Sequence, residues 1–112
     1  MAIKRIWHGW TTPENAQRYR QLLHDVVFPG IEAKNIPGYT GIELLQRDLD
    51  DEVEFITIMT FESLDNVIDF QGEDYSRCYV PEEARQVLKR WDQFSSHYGT
   101  VESRAYQREK LR

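Results

Sequence analysis

Residues 52–61, EVEFITIMTF, limit what this chain can fold into more than any other stretch of it. The segment is crowded with β-branched and aromatic residues and holds no glycine or proline, the composition of a strand inside a sheet. Successive side chains of a strand project to opposite faces, so Val53, Phe55, Met59 and Phe61 share one face and Ile56 and Ile58 the other. Both faces are apolar, and each needs a cover. A chain of 112 residues buries a modest core, enough for one layer of helices against one side of a sheet. The second side is left for something outside the monomer.

The flanking sequence supplies the remaining elements. Residues 3–10 favour a first strand, and Thr12 with Pro13, or Thr11 with Glu14 as a capping box, starts a helix. Ala16, Tyr19, Leu22, Leu23, Val26 and Val27 recur at helical spacing, with Glu14, Gln17, Arg18, Gln21 and Asp25 opposite. Pro29 and Gly30 weaken this helix, and Asn35, Ile36, Pro37 and Gly38 form a turn into a second strand over 39–49. Asp50 and Asp51 reverse the chain, so strands two and three pair as a hairpin. Ser63 caps a second helix that carries Leu64, Val67 and Ile68 inward and ends near Gly72. Pro81 opens a third helix with Ala84, Val87, Leu88 and Trp91 as its apolar stripe, and a last strand spans 94–102.

This order is the split βαβ arrangement of a ferredoxin-like α+β domain, a four-stranded antiparallel sheet with helices on one face. The domain is expected over residues 1–103, with 104–112 as a C-terminal tail holding Arg104, Arg108, Lys110 and Arg112. A second copy of the sheet is the economical cover for the bare face, so a homodimer is expected. Burying a few hundred Å² more of apolar surface, at about 25 cal/mol per Å², contributes several kcal/mol.

Composition excludes several function classes. A net charge of -5 with dispersed basic residues argues against nucleic acid, whose binding rests on clustered Lys and Arg. The single cysteine, Cys78, allows no internal disulfide and no thiolate metal cage, which fits a cytoplasmic location. No run approaches the ~20 apolar residues of a membrane span, and the N-terminus is not a signal sequence. Hydrolase triads, phosphate loops and metal-binding spacings are not found, so no metal is expected.

The segments GWTTPENA, PGI at residues 29–31, GY at 38–39, VEFITIMTF, FQGEDY at 70–75, PEEAR and SHYGTVE together resemble the antibiotic biosynthesis monooxygenase family of the dimeric α/β barrel superfamily. The likeness covers residues 3 to about 101. It implies two four-stranded sheets forming a barrel, with a cavity in each protomer between helices and sheet. It also implies cofactor-independent oxygenation of a small aromatic or quinol-like compound, with no tightly bound cofactor. The haem-degrading branch of the family is marked by an Asn in the first strand and by a Trp and a His in the second helical region. Here the first strand offers His8, and residues 64–79 hold neither Trp nor His, so haem is not expected.

His97, in the last strand, is the candidate catalytic base: a half-buried imidazole can take a proton from a phenol and leave a carbanion-like substrate that reacts with dioxygen. The same residue can equally serve as a structural histidine that ties its strand to a neighbour. His8 is read as a barrel or cavity residue, and His24 as solvated. Trp10, Tyr75 and Trp91 are candidate walls for a planar ligand, and Asp74 with Tyr75 belongs to a cavity mouth. Core packing is the competing reading for Trp91. Glu43 and Arg47 share a strand face and would need an ion pair, with Arg5 or each other, if that face were buried. The rival to an enzyme is a non-catalytic binding or structural protein of the same fold, its cavity small or filled.

Overall fold

The computed structural model describes residues 1–107. Arg108, Lys110 and Arg112 of the expected basic tail lie outside the described residues. Strand β1 (Ile3–Thr11) leads through a short 3₁₀ turn (Pro13–Asn15) into helix α1 (Ala16–Leu22), a π-type turn (Leu23–Val27) and helix α2 (Phe28–Glu32). The hairpin of β2 (Tyr39–Asp48) and β3 (Val53–Phe61) follows, then α3 (Leu64–Gln71), α4 (Glu82–Val87), β4 (Arg90–Trp91) and β5 (Ser96–Gly99).

The sheet runs β2-β3-β1-β4, with β5 also pairing β1. Every pairing is antiparallel. The chain therefore has the ferredoxin-like α+β fold, with the long double-dry strand β3 next to the centre. Its register against β1 sets Arg5 beside Met59 and His8 beside Ile56. The inner face collects Arg5, Trp7, Phe55, Thr57, Met59 and Phe61, and the helices lie over it. Phe61, Val67 and Met59 form one buried cluster, and Phe55, Tyr19, Leu23, Ala84, Val87 and Leu88 the other. The outer face, with Ile6, Ile56 and Ile58 half-buried and Leu45 and Tyr98 exposed, has no helix over it.

Local chemistry explains the elements and also where they depart from the sequence pattern. Thr12 is the cap at the first turn, its Oγ1 accepting from the Asn15 N–H at 3.3 Å with Pro13 just inside. Pro29 and Gly30 do not end the helical run. The π-type turn ahead of them widens the ladder, Phe28 N–H bonding to Leu23 C=O, and the chain continues to Glu32. Val26, expected inward, lines the open space between helices and sheet and is therefore exposed and not packed in the core. Ser63 caps α3 through the Asn66 N–H as expected, but Leu64 at its first turn is exposed, with Val67 carrying the burial.

The third helix and the last strand are shorter than expected. Helix α4 stops at Val87, because Leu88 turns extended to send Lys89 N–H to Trp10 C=O and Asp92 N–H to His8 C=O. Trp91 accordingly lies on β4 beside Gly9 and not on a helix stripe. Residues 93–95 bond to the 76–78 loop, Cys78 N–H to Gln93 C=O and Ser95 N–H to Ser76 C=O, so β5 begins only at Ser96. Glu43 and Arg47 lie on the outer face, where Arg47 approaches Glu54 at 4.0 Å. Arg5 is on the opposite side of the sheet and pairs with neither.

Candidate functional site

Between the inner face of the sheet and the helices lies a cavity of about 520 Å³, within the ~300–1,000 Å³ range of small-molecule sites. Arg5 and Trp7 of β1 and Thr57 and Met59 of β3 form its floor. Tyr19, Leu23, Val27, Phe28 and Ile31 of the first helical run form one wall, and Cys78, Val80, Pro81 and Ser95 the other. Its lining is mostly apolar, as a flat aromatic guest requires.

Arg5 is the charged group in the floor of that lining, with Lys34 and Glu83 among the other lining residues. It is 5 % exposed, and its Nη1 donates to Tyr75 C=O at 2.5 Å and lies 2.9 Å from His97 Nε2. Because a guanidinium only donates, His97 Nε2 is the acceptor and the ring is neutral with its proton on Nδ1. Burial, reinforced by the Arg5 charge, holds His97 below its ordinary value. Nη2 of Arg5 faces the Cys78 thiol at 3.8 Å, and that thiol shares a 2.7 Å contact with Ser95 Oγ. Burial pushes the Cys78 thiol up, against smaller opposite pulls from Ser95 and Arg5, so it is protonated near neutral pH.

None of the six candidate side chains read from the sequence is in the cavity lining. His97 stands directly behind Arg5, with Tyr75 packed edge-on against it at 5.0 Å. Asp74 is on the surface, paired with Arg77 at 3.1 Å. His8 and Trp10 are on the outer face, stacked at 5.9 Å, with His8 bonded to Glu54 at 2.9 Å and Arg90 lying over Trp10 at 3.9 Å. Trp91 packs at the edge of the larger core cluster. His24 is exposed beside Asp25. The residues that sequence reasoning passed over are Arg5, Trp7, Thr57 and Cys78. For Arg5 the signal was present: Ile3, Arg5, Trp7 and Gly9 alternate on one face of the first strand, which puts a charge among inward residues. Among the described residues no group of three His, Cys, Asp or Glu side chains is placed to hold a metal ion.

Comparison with known proteins agrees with this architecture. The fold superposes on a "putative antibiotic biosynthesis monooxygenase" from Bacillus cereus with a TM-score of 0.67 at 8% identity, covering 97% of this chain and 100% of that one. A protein of the same description from Nitrosomonas europaea gives 0.61 at 8% identity, covering 89% of this chain and 90% of that one. The chain thus has the fold of the antibiotic biosynthesis monooxygenases. By sequence, neither a protein-family model nor a curated protein matches it. Among the described residues no helix is long and apolar enough to cross a membrane.

Proposed function

We propose that the cavity takes up a small, flat aromatic or quinol-like compound and that the protein oxygenates it without a cofactor. The observation that carries this reading is the ~520 Å³ space itself, an apolar chamber with one charged group in its floor, in a fold shared with proteins described as monooxygenases. The chemistry is self-contained. A phenolic substrate loses a proton, the carbanion-like form passes electrons to dioxygen, and loss of water turns a ring CH₂ into C=O. One dioxygen is consumed, one oxygen atom enters the product and the other leaves as water, with all four electrons coming from the substrate.

His97 is one side chain behind the wall and its Nε2 lone pair is already engaged by Arg5. In this reading it is a positioning residue that fixes the guanidinium, and the substrate proton leaves to water at the cavity mouth. Incubation with a panel of polycyclic phenols and quinols, followed by oxygen electrode, tests the proposal. His97→Ala, with its fold verified by circular dichroism, should lower kcat and leave the pH profile in place. A lost acid limb in that profile would make His97 the base after all, and unchanged uptake would remove it from the mechanism. Ligand binding without any oxygen consumption would support the rival reading of a non-catalytic binding protein.

A homodimer belongs to the same proposal. Ile6, Ile56, Ile58 and Leu45 form an apolar strip on the uncovered sheet face, and a second copy of this strip is self-complementary under a two-fold axis.

A further inference from the structure

The guanidinium of Arg5 is buried with no counter-ion among the described residues. No carboxylate among the described residues forms an ion pair with it, and the three groups that touch it are a carbonyl, a neutral imidazole and a thiol. The other buried charge among the described residues is paired: Glu52, 7 % exposed, receives both Arg90 at 2.9 Å and Lys89 at 3.9 Å. An unpaired buried cation is costly, and it persists where a ligand supplies the missing charge.

The geometry also gives the direction of the open edge. Both N–H groups of Nη1 are taken, by Tyr75 C=O and His97 Nε2, and neither of those residues lines the cavity. Nη2 faces Cys78, which does line it. The Nε and Nη2 donors form the side edge of the guanidinium, and among the described residues no oxygen acceptor reaches them. The sealed side-chain polar atoms without a partner among the described residues are Thr11 Oγ1 and Thr100 Oγ1. Arg5 Nε, which also has no partner among the described residues, is not one of these sealed atoms, and Arg5 itself lines the cavity.

Resting on the small-molecule reading of this cavity, we infer that its substrate is an aromatic carboxylate, whose two oxygens take the parallel Nε and Nη2 donors of Arg5 while the ring lies against Trp7 and Met59. Two parallel donors in a planar fork match a carboxylate better than a single hydroxyl. Tyr75 and His97 hold the fork from behind, so it is set before the ligand arrives.

The test is calorimetry on the wild-type chain at pH 7.5 with 2-naphthoate, 2-naphthamide and 2-naphthol, three ligands of one shape that differ in the group offered to Arg5. The naphthoate should bind at least ~10-fold more tightly than either neutral ligand, the scale of a charge-assisted pair. Arg5→Gln should abolish that preference and leave naphthamide binding within a factor of about three. Lys34→Gln, which alters the other cation of the lining, should leave the preference intact. Equal binding of all three ligands to the wild type would overturn the inference while leaving the cavity reading in place. So would a preference that survives in Arg5→Gln or vanishes in Lys34→Gln. Failure of all three ligands to bind would count against the cavity reading itself. Since the comparison of ligands is made on the wild-type protein, it decides the matter even if Arg5→Gln does not fold.

Discussion

Phe55 is 1 % exposed and its ring meets that of Tyr19 at 4.9 Å, joining the central strand to the first helix. Truncation there leaves a hole that flanking β-structure cannot close, so Phe55→Ala should cost about 3–5 kcal/mol in urea denaturation. His97 gives a second prediction at this scale. Its folded value lies below the ordinary 6.5, so the unfolded chain binds the proton more readily than the native one. The stability tied to a neutral His97 is present above pH ~6.5 and is lost as pH falls below it, toward the folded value. His97→Gln should therefore flatten the decline in urea midpoint between pH 7.5 and 5.5 relative to the wild type. A single residue also shows what sequence could and could not yield. Arg5 was visible as an inward charge from alternation in its strand, but that Tyr75, His97 and Cys78, 70 or more positions away, surround it is a matter of tertiary register.

At the scale of elements, the strands were legible because period-two patterning and turn chemistry agree. Residues 39–49 and 52–61 pair as a hairpin almost to the residue, across the Asp50–Asp51 reversal. Gly38 closes the turn before it at φ 76°, and a Cβ there would run into the Asn66 side chain. Gly38→Ala should thus destabilise the protein by about 1–3 kcal/mol, read as a shift in thermal midpoint. The helices were less legible. The π-type turn has no compositional mark, so Val26 was read as packed core where it borders the open cavity. Trp91 continued a helical spacing by coincidence. Backbone bonds from Lys89 and Asp92 to the first strand outweigh that spacing, and they turn the segment into a strand. The site moved with these elements: the aromatics chosen by pattern lie on the outer face or at the core edge, and the cavity took its walls from segments read as plain core.

At the scale of the molecule, a five-stranded sheet with one helical layer leaves one face unpartnered. Ile58 lies near the middle of that face, half-exposed in the single chain. Ile58→Lys should convert a dimer to a monomer in sedimentation velocity with little change in circular dichroism, because the lysine meets water in the separated chain and an apolar partner in the pair. A wild-type chain that sediments as a monomer at tens of micromolar would remove the barrel from this account.

In the proposed function, the chamber between sheet and helices is where an aromatic compound is held and oxygenated. Thr57 lines its floor, so Thr57→Phe should fill the chamber from within. Dioxygen consumption with the polycyclic quinol panel, measured for the wild type and for folded Thr57→Phe, is the direct test. Uptake by the wild type that disappears in the filled variant is the predicted result. Equal uptake by both, or none by the wild type, would contradict it.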